Sequence, residues 1–204
     1  MPASSPPPSR TSVGPVRSSE SHEAILAAAK QVLRERGYGG FSIDAVARLS
    51  KASKPTIYRR WPQKAALIIE LYDRETAHVL NVPDLGSVAA ELIALARSNW
   101  ALWRETAAGD AVRGIIAEAQ TDPEALRRLR DTFMPDRRRF ARQVFGRGQQ
   151  RGEIPASASI ETAVDMFNGF NWYHLLTDQI RKTDEPAIES AVEILLAGLT
   201  RSGG

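Results

Sequence analysis

The chain contains no cysteine, so disulfide staples, thiolate nucleophiles and cysteine-ligated zinc are all excluded. Histidine is nearly as scarce. His22, His78 and His174 stand far apart, and no HExxH or GxSxG pattern accompanies them. Gly146-Arg147-Gly148 falls inside a helical pattern rather than after a strand, so it does not read as a phosphate-cradling loop. The expectation is a protein that is not an enzyme, with no metal site and no cofactor. Also missing is any apolar run long enough to span a bilayer or to form a signal-peptide core. The expected setting is cytoplasmic, without a membrane partner. Strand-like alternation of any length is absent too, which leaves an all-α fold.

What is present is an ordinary globular composition: 43% hydrophobic and 25% charged residues over 204 positions, enough for a sizeable core in one or two domains. The net charge of +3 hides an uneven distribution. Residues 1–64 hold 11 Lys and Arg against 4 Asp and Glu, a balance of +7, while the remainder holds 16 against 20, a balance of −4. A basic head on a mildly acidic body is the electrostatic footprint of a nucleic-acid-binding domain carried on something else. Residues 1–18 are rich in Pro, Ser and Arg with little to bury, and are expected to form a disordered tail. Arg10 and Arg17 could reach DNA from it.

Within the head, a first helix is expected over 19–36, capped by Ser19 and closed by Gly37 in a left-handed conformation. Ile25, Ala28, Ala29, Val32 and Leu33 form its buried face. Phe41-Ser42 opens a second, short helix, with Ser42 as cap and Phe41 stapled onto Val46; Ile43, Val46, Ala47 and Leu49 are its apolar side. The polar run Ser50-Lys51-Ala52-Ser53 interrupts it. Ser53 then caps a third helix, Lys54-Pro55-Thr56-Ile57-Tyr58-Arg59-Arg60-Trp61, whose first turn accommodates Pro55 because the missing N–H is not needed there. Two short helices across a tight turn define a helix-turn-helix, whose second helix lies in the major groove with its N-terminal residues against base edges. Lys54, Pro55 and Thr56 occupy that end; Ile57 and Trp61 are expected in the core.

The stretch from Ser53-Lys54-Pro55-Thr56-Ile57-Tyr58-Arg59-Arg60-Trp61-Pro62-Gln63-Lys64 to Ala65-Ala66-Leu67 resembles the recognition-helix signature of TetR-type (tetracycline-repressor-like) transcriptional regulators. The likeness extends upstream through Ala24-Ile25-Leu26-Ala27-Ala28-Ala29 and Gly37-Tyr38-Gly39-Gly40-Phe41-Ser42, covering about the first third of the chain. In the turn, where the family has alanine then glycine, this chain has Ser50 and Lys51. A non-glycine residue there costs about a kcal/mol or more if φ is positive. The resemblance implies that Tyr58 contacts phosphate and that Lys64 sits beside the DNA backbone; Ser42, at the start of the second helix, can give its backbone N–H to a phosphate, and Ser53 is a further DNA-binding candidate. Arg59 or Arg60 adds a base or backbone contact. The domains it implies are 19–64 for DNA binding and 65–204 for effector binding and dimerisation.

The body reads as a series of helices. One over 63–80 carries Leu67, Ile68, Leu71 and Tyr72 on its apolar side. Ser87 and Asp110 are expected caps of the next two. Asp122-Pro123-Glu124 starts a long helix ending near 152, carrying Leu126, Leu129, Phe133, Phe140 and Val144, with a kink at Pro135. The nine arginines from Arg127 to Arg151 are expected on its solvated face. A helix over 159–180 is apolar nearly all round, and another over 184–201 carries an apolar stripe. Too little protein remains to cover both in a monomer, so they are expected to pair with a second copy as a two-fold homodimer. Such a dimer would hold two helix-turn-helix heads on a palindromic double-stranded DNA operator. By resemblance, Trp100, Trp103, Phe133, Phe140, Met166, Phe167 and Phe170 surround a pocket for a hydrophobic small-molecule effector, with Asn99, Asn168, Asn171 and His174 as polar groups. The expected function is a ligand-responsive repressor; the alternative is a DNA-binding dimer without effector.

Overall fold

Helices account for every regular element in the computed structural model, which describes residues 15–79 and 83–201; no strand occurs among them. The first is α1, Pro15–Gly40, which breaks at Gly37, where φ of 62° and ψ of −177° suit glycine. It starts ahead of the predicted position 19, so Ser19 lies inside the helix rather than at its cap. The predicted tail overlaps α1 at 15–18 and otherwise lies outside the described residues.

The next two helices follow their caps closely. Ser42 accepts the backbone N–H of Ala45 at 3.3 Å and opens α2, Ile43–Ser50. Ser53 accepts that of Thr56 and opens α3, Lys54–Arg60. Between them Lys51 adopts a left-handed conformation, φ 57° and ψ 21°, so the turn is tight despite the missing glycine. Phe41 and Val46 are both buried, but Leu49 is 45% exposed and does not belong to the apolar side of α2. Eight residues give only two turns, and Leu49 falls beyond the stripe set by Ile43, Val46 and Ala47.

The head packs against α4, Lys64–Val79, through Ile25, Ala29, Ile57, Leu67 and Ile68, all nearly inaccessible. Trp61 closes α3 and is anchored by its indole N–H donating to Glu70 at 2.8 Å. The His22 ring stacks on Trp61 at 5.1 Å, with Nε2 2.9 Å from Glu70. This cluster ties the end of α3 to α1 and α4, and so fixes the direction in which α3 presents its outer face.

The body continues with α5, Val88–Glu105, capped by Ser87 as expected, and α6, Ala108–Ala119. Asp110 lies within the first turn of α6 and is not its cap. The Thr106 hydroxyl accepts the Ala108 N–H instead, which starts the helix earlier. Gly114 lets α6 approach the head: a Cβ there would lie 1.9 Å from Cγ of Tyr38.

The predicted long helix is divided. Asp122 caps α7, Pro123–Arg128; a π-helical turn, Leu129–Phe133, follows; then α8 runs Met134–Gln150. The Met134 N–H reaches back five residues to the Leu129 carbonyl, widening the ladder just where Pro135 offers no donor. Leu126 is 45% exposed, a second misplaced apolar residue, whereas Leu129, Phe133 and Val144 are buried. The arginines are not simply solvated: Arg138 and Arg142 pair with Glu161, and Arg147 and Arg151 pair with the fully buried Glu91.

Ser159 caps α9, Ile160–Leu176, which stops short of 180 as Asp178 turns to φ 59°. A 3₁₀ turn, Lys182–Asp184, leads to α10, Pro186–Arg201. One chain does not bury α9 all round. Met166, Tyr173 and Leu176 form an exposed stripe, and Ile194 of α10 beside it is 73% exposed.

Candidate nucleic-acid interface and ligand cavity

The outer face of α3 is built by elimination. Ile57 and Trp61 are withdrawn into the core, so Lys54, Pro55, Tyr58, Arg59 and Arg60 are left exposed on one side, with Ser42 and Ser53 at the flanking caps. Thr56 is half-buried, and its hydroxyl lies 2.8 Å from that of Ser53, which stiffens the end expected to meet base edges. Lys54 leans on Asp44 of α2 at 2.7 Å, an exposed pair that a phosphate could replace. Arg60 rests over Trp61, 5.7 Å from the ring centroid.

Lys64 behaves differently from the sequence-based expectation. It opens α4, but its ammonium turns toward the body, 3.5 Å from Glu118 of α6 and 4.5 Å above the Tyr38 ring. Tyr38 in turn donates to Glu118 at 2.6 Å, and burial followed by this bond pushes the Tyr38 pKa up. Sequence reasoning gave Tyr38 and Glu118 no part in this contact, because the three positions meet only through the packing of α6 on α1 and α4.

The predicted pocket residues separate into groups. Trp103, Phe133, Phe140 and Asn99 line a small core cavity of about 20 Å³, together with Asn168 and Arg137. Met166, Phe167 and Phe170 instead line a broad groove of about 530 Å³ between α9 and α10. Trp100 is fully buried and donates its indole N–H to Asn171 at 2.8 Å, while the Asn171 amide donates to the Phe167 carbonyl at 2.8 Å. His174 packs against Phe170, ring centroids 4.4 Å apart, and its Nδ1 lies 3.0 Å from the Phe170 carbonyl. Asn171 and His174 therefore already have partners within the chain. A further cleft of about 140 Å³ separates α1 from α4 and the start of α6.

An all-helical body carrying a helix-turn-helix whose second helix presents hydroxyl, lysine, tyrosine and arginine side chains defines a DNA-binding transcriptional regulator. Residues 25–71 match the family described as bacterial regulatory proteins, tetR family, and residues 82–195 match the tetracyclin repressor-like C-terminal domain. The chain belongs to the TetR family. It is 32% identical over 163 residues to the HTH-type transcriptional regulator YdeS of Bacillus subtilis, covering 80% of this chain and 82% of that one. Over 72 residues it is 50% identical to the DNA-binding transcriptional repressor TetR of Mycobacteroides abscessus, 35% of this chain and 38% of that one. Among solved structures it is similar to the TetR family regulator SCO0332, with a TM-score of 0.75 and 28% identity over 88% of this chain and 98% of that chain. Among the described residues, no helix is long and apolar enough to cross a membrane.

Proposed function

We propose that the protein acts in the cytoplasm as a homodimeric repressor on a palindromic DNA operator, and that a largely apolar small molecule releases it. The observation that carries the DNA contact is the α3 face: Lys54, Tyr58, Arg59 and Arg60 are exposed, with Pro55 beside them, on a helix whose apolar residues, Ile57 and Trp61, are buried. Lys54, Pro55 and Thr56 read base edges, Tyr58 and the Ser42 cap hold phosphates, and Arg59 or Arg60 adds to either set. Lys64 joins the phosphate contacts by exchanging Glu118 for the DNA backbone, so its contribution is linked to the position of α6. The exposed stripe on α9 and α10 supports pairing with a second copy. Effector binding gains support from a fold neighbour, the Bacillus subtilis regulator FadR, whose structure contains stearoyl-CoA. The competing reading, a dimeric regulator without effector, is favoured by the small size of the core cavity, about 20 Å³. Candidate ligands that raise thermal stability and release operator DNA separate the two.

The DNA contact has its own test. Thr56→Ala and Tyr58→Ala should each weaken operator binding about tenfold or more, the scale of one lost base or charge-assisted phosphate contact of about 1–3 kcal/mol. Unfolding midpoints should stay nearly unchanged, since Tyr58 is 47% exposed. Mobility-shift titrations with unaltered affinity for both variants would remove α3 from the interface.

A further inference from the structure

Half of the residues lining the core cavity carry rings, Tyr72, Trp103, Phe133, Phe140 and Trp172, yet two others, Arg137 and Asn168, each bring a buried hydrogen-bond donor that no group among the described residues satisfies. These are Nε of Arg137, whose side chain is 11% exposed, and Nδ2 of Asn168. Buried N–H groups almost always find an acceptor, because leaving one unpaired forfeits its hydration without return. Two such donors on side chains that line one chamber are a request for an oxygen atom.

Arg137 is also engaged on its other side. One terminal nitrogen pairs with Asp73, and the other donates to Thr76 at 3.3 Å; both partners belong to α4, the helix that continues from the head. The guanidinium carbon lies 4.7 Å from the Tyr72 centroid and 4.9 Å from that of Phe133, so its position is coupled to two walls of the cavity. At about 20 Å³ the chamber has room for a water-sized group and no more. Anything larger must displace lining side chains: the half-buried Phe140 and Trp172, or the Tyr72 and Phe133 rings against which Arg137 rests.

We propose that the effector is an apolar molecule bearing a carboxylate or carbonyl oxygen, that this oxygen is received by Arg137 Nε and Asn168 Nδ2, and that Arg137 relays its arrival to α4 through Asp73 and Thr76. This rests on the effector reading above and specifies its chemistry. A cationic or purely hydrocarbon ligand leaves both donors unpaired and is discriminated against. Arg137 serves here as a positioning residue for α4 as well as a ligand contact, a double role that lysine cannot reproduce because it lacks the planar fork of donors. The coupling follows because a bound ligand favours the Arg137 placement that best brings Nε to its oxygen, and Asp73 and Thr76 tie α4 to that placement.

The test uses the full-length chain with three probes of similar apolar body: phenylbutyrate, benzylacetone and phenylbutylamine. Calorimetry should find that at least one of the two oxygen-bearing probes binds at least tenfold more tightly than the amine, and that it lowers operator affinity in anisotropy titrations. Asn168→Leu should weaken the oxygen-bearing probe about tenfold while leaving the amine unaffected. Arg137→Lys should retain part of the binding but lose the release of operator. If the amine binds and releases DNA as well as the others, sensing stands and the oxygen recognition falls. If no probe alters the affinity of a chain that does bind operator, the sensor reading itself falls, and the relay with it. An Asn168→Leu chain that binds all three probes like the wild type also overturns the assignment.

Discussion

Ile194→Asp should halve the molecular mass in solution and reduce operator affinity by a factor of about 10²–10⁴, the loss expected when two linked binding heads become independent. Ile194 is 73% exposed within one chain, so the substitution leaves the monomer's own core intact. It lies on α10 beside the α9 stripe of Met166, Tyr173 and Leu176, which are 57%, 58% and 47% exposed. Exposed apolar side chains at helical spacing on two adjacent helices make a contiguous patch of the kind that marks an interface. Small residues reinforce the case: Gly169 on α9 and Ala197 on α10 are exposed in the same region, where they permit close approach of a second pair of helices. A carboxylate at the middle of such a contact would be stripped of water without a partner. Light scattering and anisotropy titration provide the two readings. A variant that stays dimeric and binds operator normally would place the interface elsewhere.

Glu91→Ala should destabilise the fold by about 3–5 kcal/mol, the cost of breaking a buried ion pair and leaving charge behind. Glu91 is on α5 and fully buried, yet it is held by two guanidinium groups from α8 and its end: Arg147 Nε at 2.9 Å and Arg151 Nη1 at 3.0 Å. Removing the carboxylate leaves both cations facing a cavity in a region where Gly148 packs against Val88 so closely that a Cβ would lie 2.1 Å from it. Arg151→Ala should cost far less, because Arg147 still neutralises Glu91 and the Arg151 side chain is partly solvated. Urea unfolding of the pair of variants checks the contrast. Equal, small shifts would mean that α5 and α8 are held by apolar packing alone.

The parts of this structure that the sequence announced are those specified by neighbours along the chain. Ser42, Ser53, Ser87 and Asp122 each cap the helix that follows, because a cap needs only the next two or three residues. The same locality made the exposed face of α3 readable. Asp110 misled because an acid in a first turn looks like a cap, while the Thr106 hydroxyl had already taken the Ala108 N–H. Leu49 and Leu126 misled because hydropathy does not say which side of a short helix meets the core. Pairings set by tertiary packing were silent: Lys64 with Glu118 and Tyr38, Arg137 with Asp73 and Thr76, and Glu91 with Arg147. The candidate pocket was half-legible for the same reason. Its rings were identifiable by type, but only the packing divides Trp103, Phe133 and Phe140, around the core cavity, from Met166 and Phe170 on the outer groove.

In the proposed complex two cationic heads, joined through their bodies, grip one duplex. Selection of binding sites from a random duplex pool, followed by light scattering of the complex, tests it most directly. The account predicts a two-fold symmetric sequence, two chains per site, and an affinity that falls steeply with salt as several phosphate contacts release counterions. Retention of no sequence at low ionic strength, or a single chain on an asymmetric site, would contradict it.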